Sequence, residues 1–213
     1  MDAKRRGRPR EYDPDVALGQ ATEAFWAAGY AATSLDELSA AMGMHRPSLY
    51  SAFGDKRALH LRALERYRDE TWGRLIGLLG GEATLAESLA RVFAQGLATY
   101  LSGHDGPRGC FMIGPALTEA LGDEGVRLAI AAGLEDLDGA FESRFRKAQA
   151  AGEIAFDADT VSLARMATAI LHSLAIRARA GDRAEALTQT AAAGVQLLTG
   201  TRTPASRQAR AGP

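Results

Sequence analysis

The chain has 213 residues, enough for one large helical domain or two small ones sharing a helix. Hydrophobic residues make up 46% and the formal net charge is −1, which excludes a wholly disordered chain and one drawn to nucleic acid by global charge alone. The single cysteine, Cys110, excludes an intramolecular disulfide and a zinc site built on several thiolates, and it fits a reducing cytoplasm.

The chain is rich in Ala, Leu, Glu and Arg and poor in aromatic residues, so an all-α fold of about nine helices is expected, with no strand. Residues 1–12 read as a flexible basic arm in which Lys4, Arg5, Arg6, Arg8 and Arg10 lie within seven residues. No apolar stretch follows the arm, so it is not a signal peptide, and no apolar run approaches the ~20 residues that span a bilayer. Asp13-Pro14 opens a first helix, with Asp13 as N-cap and Pro14 in the first turn. Val16, Leu18, Ala21, Ala24, Phe25 and Ala28 give it an apolar stripe, and Gly29 stops it. Ser34-Leu35-Asp36-Glu37 has capping-box spacing and starts a short second helix with Leu35, Leu38, Ala41 and Met42 facing inward. Gly43 ends it in the left-handed conformation that glycine adopts freely. A third short helix runs from about His45 to Ala52, with Pro47 in its first turn.

Gly54-Asp55 starts a fourth helix over residues 56–79, which links the two halves until Gly80-Gly81 breaks it. Thr84-Leu85-Ala86-Glu87 is a second capping box, and a fifth helix follows to about Leu101. After a polar loop at 102–109, a sixth helix is expected over 110–121, kinked at Pro115. A seventh runs from Asp123 to about residue 151. Asp157 or Asp159 caps an eighth, and Asp182-Arg183-Ala184-Glu185 has the spacing to cap a ninth that ends at Gly200. The tail, 201–213, is rich in Ser, Thr, Pro and Arg and is expected to be disordered. Its Arg202, Arg207 and Arg210 lack any groove-shaped context.

Function concentrates in residues 33–57. Two short helices meet at Gly43, and the small Ser39 permits their close crossing, as a helix-turn-helix requires. Leu38, Met42, Met44 and Leu49 make the buried side. His45, Arg46, Ser48 and Tyr50 face out and are hydrogen-bond formers suited to a major groove. The residue types alone fit the surface of an ordinary bundle equally well; their order does not. Gly43-Met44-His45-Arg46-Pro47-Ser48-Leu49-Tyr50, then Phe53, Asp55-Lys56 and Leu59, closely resembles the DNA-binding signature of the TetR family. Phe25, Gly29-Tyr30, Thr33-Ser34 and Leu38 fit the same pattern, and the resemblance is specific over about residues 12–60.

The resemblance implies a helix-turn-helix domain over 13–55 and a ligand-binding and dimerisation domain over 56–200. It implies a repressor that binds palindromic operator DNA as a homodimer and lets go when a small molecule binds. Tyr50 and Lys56 then correspond to phosphate ligands, as do Thr33 and Ser34 at the start of the second helix, where free N–H groups attract anions. Arg46 and Ser48 occupy positions that meet base edges, with His45 and Ala52 weaker candidates. In the arm, Arg6-Gly7-Arg8-Pro9 resembles an AT-hook core that lays arginines in an A·T minor groove; a solvated basic tail explains it equally well. The last two helices match the family's dimerisation pair. Their apolar stripes are Leu163, Ala167, Ile170, Leu171 and Leu174, and Ala184, Leu187, Ala191, Val195 and Leu198; intramolecular core is the alternative.

Trp72, Phe93, Tyr100, Phe111, Met112, Phe141, Met166 and His172 are candidate pocket-lining residues, with ordinary core as the alternative for each. Cys110 sits beside Arg108 at the expected start of the sixth helix. There it is either a redox- or electrophile-responsive thiol, as in some TetR relatives, or a small buried hydrophobe. His104, Cys110 and His172 lack metal-ligand spacing, so no metal or other cofactor is expected. No phosphate-binding glycine loop, Gly-x-Ser-x-Gly or His-Glu-x-x-His motif suggests an enzyme. A TetR-type activator shares all the binding chemistry, and a ligand-free architectural DNA binder shares the reading helix.

Overall fold

A computed structural model describes residues 12–103 and 106–200, and among these every regular element is helical. The arm with Arg6 and Arg8, His104 and the 201–213 tail lie outside the described residues. The residues form two compact units, one from 12–71 with Phe111–Ala131, the other from Trp72–Cys110 with 132–200. The chain passes between the units three times, first between Thr71 and Trp72.

In the first unit, α1 (Pro14–Ala28) is capped by the Asp13 carboxylate, which accepts from the Asp15 N–H at 2.8 Å, and it ends at Gly29 with φ +83°. Its buried face is Ala17, Ala21, Phe25 and Trp26, while Val16 is exposed. The expected stripe was therefore rotated: it credited Val16 and missed Trp26, whose indole packs edge-on to Tyr67. α2 (Leu35–Ala41) carries the expected capping box, with the Glu37 N–H on the Ser34 hydroxyl and the Ser34 N–H on the Glu37 carboxylate. Leu38 and Met42 are buried, whereas Ala41 is exposed. α3 (Arg46–Phe53) buries Leu49 and Phe53.

α4 (Lys56–Tyr67) does not run unbroken to residue 79. It passes into a π-helical turn, Arg68–Trp72, and then α5 (Gly73–Gly77). The unit boundary falls inside that turn, between Thr71 and Trp72. The expected sixth helix is absent. Residues 111–118 are turns, and only Glu119–Leu121 forms a 3₁₀ turn. Pro115 has no N–H to donate, and its ring clashes with a helical carbonyl four residues back. The chain instead closes a wider turn, with the Ala116 N–H donating to the Phe111 carbonyl at 3.1 Å.

The second unit packs α6 (Leu85–Leu101), α7 (Glu124–Ala150), whose first residues belong to the first unit, α8 (Thr160–Arg179) and α9 (Ala184–Thr199). α6 starts at the Thr84–Glu87 capping box, and α8 is capped by Asp159 rather than Asp157. Asp182 does not cap α9. It pairs with Arg177, in the last turn of α8, at 3.2 Å, and Arg183 stands at the N-cap without a side-chain bond. A Cβ on Gly96 would lie 2.7 Å from Leu171 Cδ1, so α6 and α8 approach closely there. Ala167, Leu171 and Leu174 of α8 and Leu187, Ala191 and Leu198 of α9 are buried within the single chain. Those parts of the expected dimer stripes are intramolecular core, while Ala184 is exposed.

Candidate nucleic-acid interface and sensing unit

The α2–α3 corner is fixed from its buried side. Gly43 takes φ +60°, and the Met44 N–H closes the turn on the Ser39 carbonyl at 3.0 Å. Met44, Leu49 and Phe53 anchor α3, and the helix then has only one way to face. His45, Arg46, Ser48 and Tyr50 all lie on its exposed side, with Tyr50 47% exposed. This gathers four of the expected DNA-contacting residues on one surface.

Two of these contacts involve residues whose roles the sequence did not indicate. Arg46 is held by Asp36 of α2, with Nη2 2.7 Å from the carboxylate and Nε donating at 2.9 Å. Lys56 sits with its ammonium 4.3 Å from the centre of the Tyr30 ring, so Tyr30 acts as a cation–π platform at the start of α4. Burial, followed by the nearby Asp55 and Asp123 charges, raises the Tyr30 pKa and keeps its hydroxyl protonated. Arg57 binds Asp123 through two guanidinium nitrogens, and this hydrogen bonding pulls the Asp123 pKa down to about 2. Of the two expected phosphate ligands at α2, Ser34 is exposed but its hydroxyl already accepts from Glu37. Thr33 is buried, and both its hydroxyl and its N–H donate to the Gly29 carbonyl. Thr33 therefore fixes the loop rather than presenting a donor outward.

The candidate pocket residues separate. Phe111 and Met112 belong to the first unit, where the Phe111 ring lies 5.8 Å from His60, 5.7 Å from Tyr67 and 6.3 Å from Trp26. Met166 is 49% exposed and lines no interior space of the single chain. Trp72, Phe93, Tyr100 and Phe141 are buried in the second unit. The His172 ring is 6.0 Å from that of Trp72, and burial lowers its pKa to about 4 against the opposing pull of Asp138. Between α6 and α9 runs an apolar groove of about 270 Å³, walled by Phe93, Leu97, Ala191 and Val195. Cys110 is 1% exposed, which leaves solvent no approach to its thiol and matches the buried-hydrophobe alternative. Among the described residues no three His, Cys, Asp or Glu side chains group to hold a metal, and no helix is long and apolar enough to cross a membrane.

A recognition helix locked from behind and polar in front, followed by a cation at the next helix start, defines a helix-turn-helix DNA-binding protein. Residues 17–63 match the family described as bacterial regulatory proteins, tetR family, and residues 88–193 match the tetracyclin repressor-like C-terminal domain. The chain is 32% identical over 194 residues to the HTH-type transcriptional repressor ComR of Escherichia coli (strain K12), covering 91% of this chain and 92% of ComR. A cysteine mutant of the TetR family transcriptional regulator CifR, solved with a 26-base-pair operator, is 33% identical, with a TM-score of 0.81 over 89% of this chain and 98% of that one. E. coli NemR in its reduced form shares the fold at 21% identity, with a TM-score of 0.77 over 90% of this chain and 98% of NemR. The chain belongs to the TetR family and is a DNA-binding transcriptional regulator.

Proposed function

We propose that this regulator is a cytoplasmic repressor that binds an inverted-repeat operator as a homodimer and releases it when a small molecule enters the second unit. The observation that carries the DNA-binding role is the outward set His45, Arg46, Ser48 and Tyr50 on a helix whose opposite side is buried. Arg46 and Ser48 face base edges, with His45 beside them; Arg46 can bind guanine O6 and N7 as a fork. Tyr50, Lys56 and the exposed Ser34 take phosphates, which position without specifying sequence. Repression is the role named for ComR, and CifR was solved on its operator.

Dimerisation uses the outer faces of α8 and α9, because their inner faces are already filled within the chain. Met166, Ala169 and Ile176 on α8, and Ala186, Ala193 and Leu197 on α9, recur at helical spacing and are exposed. Small residues among them allow helices from two copies to pack closely across a twofold axis.

The test is transcription in vitro from a promoter that overlaps a bound operator. Added protein should lower transcript yield, and Lys56→Ala should restore it without changing the fold. Increased transcript from the same template would make the protein an activator and overturn the repressor assignment.

A further inference from the structure

The interior of the second unit contains polar atoms that its own side chains do not satisfy. Asp138 Oδ1 on α7, and Thr168 Oγ1 and His172 Nε2 on α8, are each buried without a hydrogen-bond partner among the described residues. Thr168 is 95% buried, from a relative exposure of 5%, and lies one helical turn from His172 on the same face of α8. Asp138 acts electrostatically on His172, and the Trp72 indole lies 6.0 Å from the His172 ring at an interplanar angle of 31°. Trp72 is itself pressed against α7, where a Cβ on Gly133 would fall 2.3 Å from its ring. A buried donor or acceptor left unpaired costs about 1–3 kcal/mol, so Thr168 and His172 one turn apart on α8, with Asp138 acting on His172, form a set that a partner should complete.

We infer that Asp138, Thr168 and His172 form the polar end of the sensing site, and that its ligand is a small ring-bearing molecule that donates a hydrogen bond and carries no negative charge. This rests on the proposal that the second unit senses a small molecule, and it names the class of that molecule. A carboxylate oxygen only accepts, so Asp138 requires an N–H or O–H from the ligand and repels an anion. The Thr168 hydroxyl both donates and accepts, and a neutral imidazole nitrogen takes the complementary role of whatever faces it. The apolar ring of the ligand then packs beside Trp72, as ligand sites commonly combine an aromatic wall with a few orienting polar groups. Alcohols, phenols and amines fit this set; carboxylic acids and pure hydrocarbons do not.

The experiment is calorimetric titration of the full-length protein, without DNA, using phenol, benzoate and toluene as probes. Phenol should bind at least about tenfold more tightly than either of the others, a difference of about 1.4 kcal/mol. Thr168→Val and His172→Phe should each weaken phenol at least about tenfold while raising the melting temperature of the free protein, because each removes an unpaired buried polar atom. The raised melting temperature shows that the variants fold. Asp138→Asn should let benzoate bind comparably to phenol, which a merely structural role for Asp138 would not produce. Absence of phenol binding to the wild type overturns the inference. So does phenol affinity unchanged in Thr168→Val and His172→Phe, which would mean these atoms are satisfied by water alone. Because no operator is present, these failures stand apart from any failure of repression.

Discussion

Arg46 is tied to Asp36 before any DNA arrives, and both side chains are mostly exposed, at 53% and 78%. Such a pair contributes only ~0–1 kcal/mol to stability, so its role is to aim the guanidinium and to compete with DNA for it. Asp36→Asn should leave the melting temperature nearly unchanged and tighten operator binding by up to about fivefold, since it removes both a competitor and a negative charge facing phosphates. Arg46→Ala should shift preference at one or two base pairs by about 1–3 kcal/mol each. Lys56→Ala should weaken all sequences alike and reduce the salt slope by about one. Fluorescence anisotropy on a panel of operator variants at several salt concentrations separates these outcomes. Selectivity unchanged by Arg46→Ala would remove it from base contact.

Among the elements, the second unit holds its most buried charge where α6, α7 and the turn before α8 converge. Arg144 is 3% exposed and donates to the Ser88 hydroxyl, the Ala83 carbonyl and the Glu153 carboxylate, while Glu153 also accepts the Leu85 N–H at the start of α6. Glu153→Ala leaves a buried guanidinium short of its counter-charge and an α6 N–H without its acceptor. It should destabilise the protein by about 1–3 kcal/mol in urea unfolding, because buried donors lose partners that water cannot replace. An effect under about 0.5 kcal/mol, the range of ordinary surface changes, would contradict this account.

Local signals at this scale were legible in sequence. The Ser34–Glu37 and Thr84–Glu87 boxes formed because both partners lie within one turn. Competing partners were not legible: Asp182 had Arg177 within reach and left α9 uncapped. An apolar stripe does not say whose surface covers it, so for residues such as Leu171 and Leu187 the sequence leaves dimer face and intramolecular core both open, and their burial within the single chain selects the core. The ordered motif placed α3 correctly, but the Asp36–Arg46 and Tyr30–Lys56 contacts join different elements and required geometry to find. Thr33 matched a motif position while its hydroxyl turned inward.

Over the whole molecule, acid should destabilise the fold through its buried histidines. His60 lies 4.9 Å from both the Phe25 and Tyr30 rings, and burial lowers its pKa from 6.5 to about 4, as it does for His172. The unfolded chain takes up protons near pH 6.5 and the folded chain only near pH 4. Their stabilising contribution is therefore complete above pH 6.5 and is lost as the pH falls through that window. Asp123 adds a further loss between its ordinary value of 3.8 and about 2 as Arg57 loses its charged partner. His60→Phe should flatten the profile between pH 6.5 and 4, measured by urea midpoints at fixed ionic strength. An unaltered slope would show that His60 does not titrate with unfolding.

The claim that binds these scales together is that two copies place two α3 helices on one face of DNA. Selection of bound sequences from a random double-stranded pool tests it most directly. An inverted repeat should emerge, with half-site centres about 34–36 Å apart or a multiple of that spacing. Arg46→Ala should blur one or two positions in each half-site while preserving the repeat. Enrichment of a single asymmetric half-site, or of no sequence at all, would contradict the account.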